Sequence, residues 1–155
     1  MPEQPSPRAQ SARLCAHDRL TLRSQLSDLS LVSAWVRALT SRCCVSERTG
    51  FAIDLCLEEA LSNIIRHGYA GDPTRKIEVE FKVSAEGVIS FTIEDSAPHF
   101  RPFDPSQPLQ APAAGALEDV VPGGHGIPLM RKFADAVDWE PLPKGNRLTL
   151  RFSVS

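Results

Sequence analysis

Glu58-Glu59-Ala60-Leu61-Ser62-Asn63-Ile64-Ile65-Arg66-His67-Gly68-Tyr69 has the periodicity of a helix. Ala60, Leu61, Ile64 and Ile65 are apolar or small and suit a helix packed on a sheet. Side chains four residues apart stack on one helical face, so Glu59 and Asn63 point the same way, with His67 one turn further along. A carboxylate and a carboxamide held side by side on a rigid element can orient a nucleophile and ligate Mg²⁺. A nucleotide-dependent phosphoryl transfer needs both.

The flanking sequence places this helix in a larger order. Ser46-Glu47 opens it; Gly68 and Gly71 mark its end, and Asp72-Pro73 forbids continuation. Upstream, Ser27 or Asp28 caps a helix to about Cys43, with Leu29, Val32, Trp35, Val36 and Leu39 as its apolar stripe. Before that, His17 to Leu26 alternates loosely and predicts a strand at a sheet edge. Downstream, Lys76 to Ser84 and Val88 to Glu94 alternate as two strands joined at Ala85-Glu86-Gly87. Residues 95–122 are rich in Pro and Ala without periodicity, and loops of that length are usually functional. Gly123-Gly124-His125-Gly126 leads into a helix from Ile127 to about Ala136. A strand at Val137 to Glu140, a turn at Pro143 to Asn146 and a last strand from Arg147 to Val154 follow. Helices grouped apart from hairpin-linked strands predict an α+β fold, a two-layer sandwich with one mixed, mostly antiparallel sheet.

Bulk properties narrow the field. A length of 155 residues, 42% apolar and 23% charged, suits one globular domain. We place it at residues 14–155, after a disordered tail at 1–13, with a mobile lid loop at 96–123. The net charge of −2 gives no footprint for nucleic acid. No apolar run approaches the roughly 20 residues that span a bilayer, and Met1 to Ala12 lacks the apolar core of a secretory signal. Cys15, Cys43, Cys44 and Cys56 show no CxxC spacing, which argues against zinc or a disulfide framework and for a cytoplasmic setting.

Two more segments carry chemistry. Asp95 ends a buried strand at Ile93-Glu94-Asp95, where a carboxylate can accept a hydrogen bond from an exocyclic amine such as that of adenine. At Gly123-Gly124-His125-Gly126-Ile127, glycines allow close backbone approach and the new helix offers free N–H groups to phosphate. Neither a Walker lysine pattern nor G-x-G-x-x-G after a strand is present. Each feature also has an ordinary reading alone: solvated helix charges at Glu58 and Glu59, a turn cap at Asp95, a ligand-free hinge at Gly123-Gly124. Trp35 and Trp139 read as core or interface anchors, and His17 and His99 as solvent residues.

In combination, E-x-x-x-N on a helix, Asp at a strand end and G-x-G before a helix resemble the N, G1 and G2 boxes of the GHKL ATPases. Leu57 to Tyr69 and Gly123 to Asp135 are most similar to the anti-sigma-factor serine/threonine kinases of bacteria, a likeness running from about Leu20 to Val154. The resemblance implies the GHKL (Bergerat) fold and the cofactors ATP and Mg²⁺. It implies that Asn63 holds Mg²⁺ against the triphosphate and that Glu59 is the general base for a partner's serine or threonine hydroxyl. Asp95 would read the adenine amine, with Ala97 beside it. Gly124, Gly126 and Ile127 would fold over the phosphates, and Thr149 or Asn146 would help hold the base through water. Arg66 and His67 would lie near the phosphate end. The implied partners are a sigma factor or other regulator, an anti-anti-sigma (STAS-type) antagonist as phosphorylation substrate, and a second copy in a homodimer. Ala97 stands where the family usually has glycine, which motivates an alternative: a non-catalytic regulator-binding module of the same fold. A third expectation, a detached sensor-kinase domain, lacks its dimerisation helix here.

Overall fold

The computed structural model describes residues 17–99 and 126–154. The chain opens with β1 (His17–Arg23), a 3₁₀ turn (Leu26–Asp28), α1 (Leu29–Arg42) and α2 (Glu47–Asn63), which runs into a π-helical turn (Ile64–Gly68). Then come β2 (Lys76–Val83), β3 (Val88–Asp95), α3 (Gly126–Phe133), β4 (Ala136–Leu142) and β5 (Gly145–Ser153). The strands form one sheet in the order β1-β2-β3-β5-β4, antiparallel in every pairing, with β1 at an edge as its loose alternation predicts.

Strand periodicity sorts the two faces. Ile77, Val79 and Phe81 of β2, Ile89, Phe91 and Ile93 of β3, and Leu148, Leu150 and Phe152 of β5 are buried beneath the helices. One register row, Leu20–Val79–Ile93–Leu148–Trp139, crosses all five strands. Phe81 and Phe91 lie directly opposite with ring centroids 5.3 Å apart, and Trp35 of α1 meets Phe91 edge-on at 5.9 Å. The other face is polar. There Glu80 is ringed by His17, Arg19 and Lys82, hydrogen bonds that hold its carboxyl down at about 2.

Two helix boundaries differ from the sequence expectation. Asp28 makes no capping bond to α1; its carboxylate accepts instead from the Arg23 backbone N–H and the Gln25 amide, clamping the strand to the 3₁₀ turn. Ser46 does cap α2, accepting from Thr49 N–H at 3.2 Å. That helix does not stay α to Tyr69. Tyr69 N–H donates to Ile64 O, five residues back, and Gly71 N–H to Ile65 O. The wider turn shifts every later side chain around the axis. The final turn is also tighter than expected: it is confined to Pro143-Lys144, so Asn146 belongs to β5. No described helix is long and apolar enough to cross a membrane.

Candidate functional site

Four parts of the fold wall one cavity of about 40 Å³. The end of α2 and its π turn supply Ala60, Asn63, Ile64 and Gly68; the end of β3 supplies Asp95 and Ala97. Met130 comes from α3, and Trp139, Asn146 and Leu148 from the β4–β5 hairpin. Asp95 and Asn146 are register partners, one step beyond the Ile93–Leu148–Trp139 row. Inward-facing alternation therefore turns from apolar to polar at the rim of the sheet.

The polar groups there are tightly arranged. Asp95 Oδ1 accepts from Ala97 N–H and from Asn146 Nδ2, both at 2.9 Å. Both of its side-chain hydrogen bonds among the described residues fall on Oδ1. Burial pushes the Asp95 carboxyl above its usual range, and the bonds from Asn146 and Ala97 offset this only in part. Asn146 Nδ2 also faces Ala97 O and Pro98 O, while its Oδ1 accepts from Trp139 Nε1 at 3.2 Å. Tyr69 ties the helix end to the strand end: its hydroxyl reaches Lys76 O and takes the Ser96 N–H at 2.7 Å.

Gly145 is required where it stands. Its φ is +124°, and a Cβ there would lie 1.7 Å from Asp95 O. The carbonyl behind the key carboxylate thus rests on a bare Cα.

Of the residues predicted for the site, Asn63, Asp95 and Ala97 come together. Asn63 is 7% exposed, and its amide takes no hydrogen-bond partner among the described residues. Ala97 is buried and is not among the residues with positive φ, so its methyl group costs the backbone nothing. Glu59 stands one turn earlier on α2, half-buried and outside the cavity lining. It contributes, after desolvation, to pushing the buried Cys56 thiol up to about 12, which leaves that thiol inert as a nucleophile. Gly126 and Ile127 form the first turn of α3. Gly124, residues 1–13 and most of the expected lid at 96–123 lie outside the described residues.

Two expectations need correction, and a third gains a role. Thr149 lies between the buried Leu148 and Leu150 in β5, so strand alternation turns it to the opposite face, across from Thr92 and Asp138. Asn146, the other candidate in that hairpin, holds the place beside Asp95. His67 does not continue the Glu59–Asn63 face, because the π turn brings Gly68 to the cavity in its stead; Arg66 and His67 are exposed. Trp139 is a cavity wall as well as a core anchor. Its inward register opposite Leu148 was the missing signal, and it appears only once β4 is paired with β5.

The donor set sets limits on what binds. A volume of about 40 Å³ holds a water or two, so the walls must move apart before an adenine ring fits. Asn63 offers one carbonyl oxygen, and the described residues hold no cluster of three His, Cys, Asp or Glu that could bind a metal. Mg²⁺ characteristically takes one or two protein oxygens and completes its shell with water and phosphate. A single amide therefore fits a magnesium ion carried by a triphosphate.

Residues 22–152 match the Histidine kinase-like ATPase domain family. The chain is 33% identical over 116 residues to the serine/threonine-protein kinase BtrW of Bordetella bronchiseptica, covering 75% of this chain and 79% of that protein. Its fold is similar to a structure of the RsbU and RsbW domains of Rv1364c from Mycobacterium tuberculosis, with a TM-score of 0.65 at 15% identity. That match covers 89% of this chain and 32% of the other. The histidine kinase domain of the blue-light activated histidine kinase from Erythrobacter litoralis EL346 aligns at a TM-score of 0.50 and 12% identity, over 94% of this chain and 69% of its own. A cavity lined by a helix-borne amide, a strand-end aspartate and Met130 of a following helix, on residues that match from 22 to 152, makes this chain a member of the histidine kinase-like ATPase domain family.

Proposed function

We propose that this protein is a serine/threonine protein kinase of the anti-sigma-factor type that uses ATP with Mg²⁺. The observation that carries the proposal is the convergence of Asn63 and Asp95 on one otherwise largely apolar cavity, each keeping hydrogen-bonding capacity that no described residue uses. The 33% identity to a protein named as a serine/threonine kinase supports it.

In this reading Asp95 Oδ2 accepts the hydrogen bond of a base amine, while Oδ1 stays occupied by Ala97 and Asn146. Asn63 presents its amide oxygen to the metal–triphosphate unit. The bound Mg²⁺ supplies neutralisation of the charge that builds on the transferred phosphoryl group. Glu59 takes the proton from a serine or threonine hydroxyl of the partner as that oxygen bonds to the γ-phosphorus and the bond from that phosphorus to the bridging oxygen breaks, releasing ADP. Gly124 and Gly126 let the chain before α3 approach the phosphates. The substrate is an anti-anti-sigma (STAS-type) antagonist, the sequestered partner is a sigma factor or another regulator, and the working unit is a cytoplasmic homodimer that switches between them.

Calorimetric titration with Mg·ATP, followed by transfer of labelled phosphate to candidate antagonists, tests this. Micromolar binding with acid-stable phosphate on the antagonist is the expected result. One observation favours a second reading, a regulator-binding module of the same fold: the cavity is smaller than a nucleobase. No heat at millimolar ATP selects that module and overturns the kinase.

A further inference from the structure

The cavity contains a hydrogen-bond relay with a fixed direction. An indole N–H can only donate. Trp139 Nε1 therefore requires the oxygen of the Asn146 amide to face it, at 3.2 Å. The amide nitrogen is then turned toward three acceptors: Asp95 Oδ1 at 2.9 Å, Pro98 O at 3.2 Å and Ala97 O at 3.3 Å. A flipped amide would set an oxygen against three oxygens and an NH₂ group against an N–H. The register explains how they meet: Pro141 is opposite Asn146 and Trp139 opposite Leu148, so Trp139 is the diagonal neighbour of Asn146 on the inner face.

We infer that Trp139 is a positioning residue for base selection: its N–H locks Asn146, which holds Asp95 by one oxygen and leaves the other as an acceptor facing the base. This rests on the nucleotide reading above and deepens it. A lone aspartate is ambiguous, because a carboxylate accepts from the amine of adenine and equally from the N–H groups of guanine. The relay narrows the choice. Asn146 has its NH₂ group committed to Asp95 and the two carbonyls, so it is not the donor that the base meets. The floor of the cavity then favours a base edge that donates and disfavours one that places a carbonyl oxygen there.

The test couples a protein group to a ligand group. Affinities of the full chain are measured for Mg·ATP, for Mg·GTP and for purine riboside triphosphate, which lacks the 6-amino group. Trp139→Phe keeps a ring and removes the donor; 3-benzothienylalanine at position 139 keeps the bicyclic shape and removes only the N–H. Both replacements are expected to weaken ATP by about threefold to tenfold, the worth of one hydrogen bond. Binding of the deaminated nucleotide should change less than about twofold, and the preference for ATP over GTP should shrink. Equal weakening of ATP and its deaminated analogue by the benzothienyl replacement, or no weakening of either, overturns the inference while leaving ATP binding intact. A wild-type protein that binds none of the three overturns the nucleotide reading itself. If Trp139→Phe does not fold, the near-isosteric replacement decides.

Discussion

Gly68 and Ala97 face each other across the cavity wall, so close that a Cβ on Gly68 would sit 3.1 Å from the Cβ of Ala97. The π turn brings the glycine there, and the buried methyl group fills the space it leaves. Ala97 is therefore the complement of Gly68 and no defect in the nucleotide loop. Ala97→Gly should cost about 1 kcal/mol through lost burial and added chain entropy. In a chain of this size that is a fall of roughly 2–4 °C in Tm. ATP affinity should not improve by more than about twofold. A variant that is both as stable and a tighter binder would contradict this packing account.

Asp95 links stability to pH with an unusual sign. Its carboxyl is raised above the ordinary 3.8 by burial, so the folded state holds a proton that the unfolded state has released. The favourable contribution is complete below 3.8 and is lost as pH climbs through the folded value. At neutral pH the ionised group is a cost to folding. Asp95→Asn removes that cost while its Oδ1 can keep the bonds from Ala97 and Asn146. Urea unfolding should show the variant equal to or more stable than wild type at pH 7, with the advantage vanishing near pH 4. Nucleotide binding should fall at least about tenfold, because an NH₂ group replaces the acceptor. Equal pH profiles for the two proteins would count against the burial argument.

Gly145 supports the same carboxylate from behind. Gly145→Ala must relieve both a φ of +124° and a 1.7 Å overlap with Asp95 O. The expected loss is at least about 2 kcal/mol, read as a lower urea midpoint. The displaced backbone carries Asp95 with it, so ATP affinity should drop further than Ala97→Gly lowers it. A variant with native stability would show that the β4–β5 turn can relax without touching β3.

Much of this was legible from local pattern. Glu59 and Asn63 share a face because α geometry holds from Glu47 to Asn63, and Asp95 ends β3 because Ile89, Phe91 and Ile93 alternate up to it. What escaped depends on pairing and on backbone irregularity. No sequence period announces a five-residue hydrogen bond from Tyr69 to Ile64, so His67 was placed where Gly68 lies. Thr149 and Asn146 were equivalent candidates until the β3–β5 register put Asn146 opposite Asp95 and Thr149 opposite Thr92. Trp139 reads as a core or interface anchor from the sequence, and its place beside Asn146 follows only from the β4–β5 diagonal. Long-range register decides these side chains, and periodicity within one strand does not encode it.

Glu59 and Asn63 should separate binding from transfer. Asn63 makes no side-chain hydrogen bond to any described residue although it is 7% exposed, so truncating it removes a desolvation cost and little else. Asn63→Ala is expected to keep Tm within about 2 °C while losing Mg·ATP affinity tenfold or more, with the deficit reduced when metal-free ATP is compared. Glu59 lies outside the cavity lining, so Glu59→Gln should bind ATP within about twofold of wild type. As the proposed base it should slow phosphate transfer to the antagonist by a factor on the order of 10²–10⁴. Transfer at the wild-type rate by Glu59→Gln would remove Glu59 from the chemistry and leave positioning by Asn63 and Asp95 as the whole of catalysis.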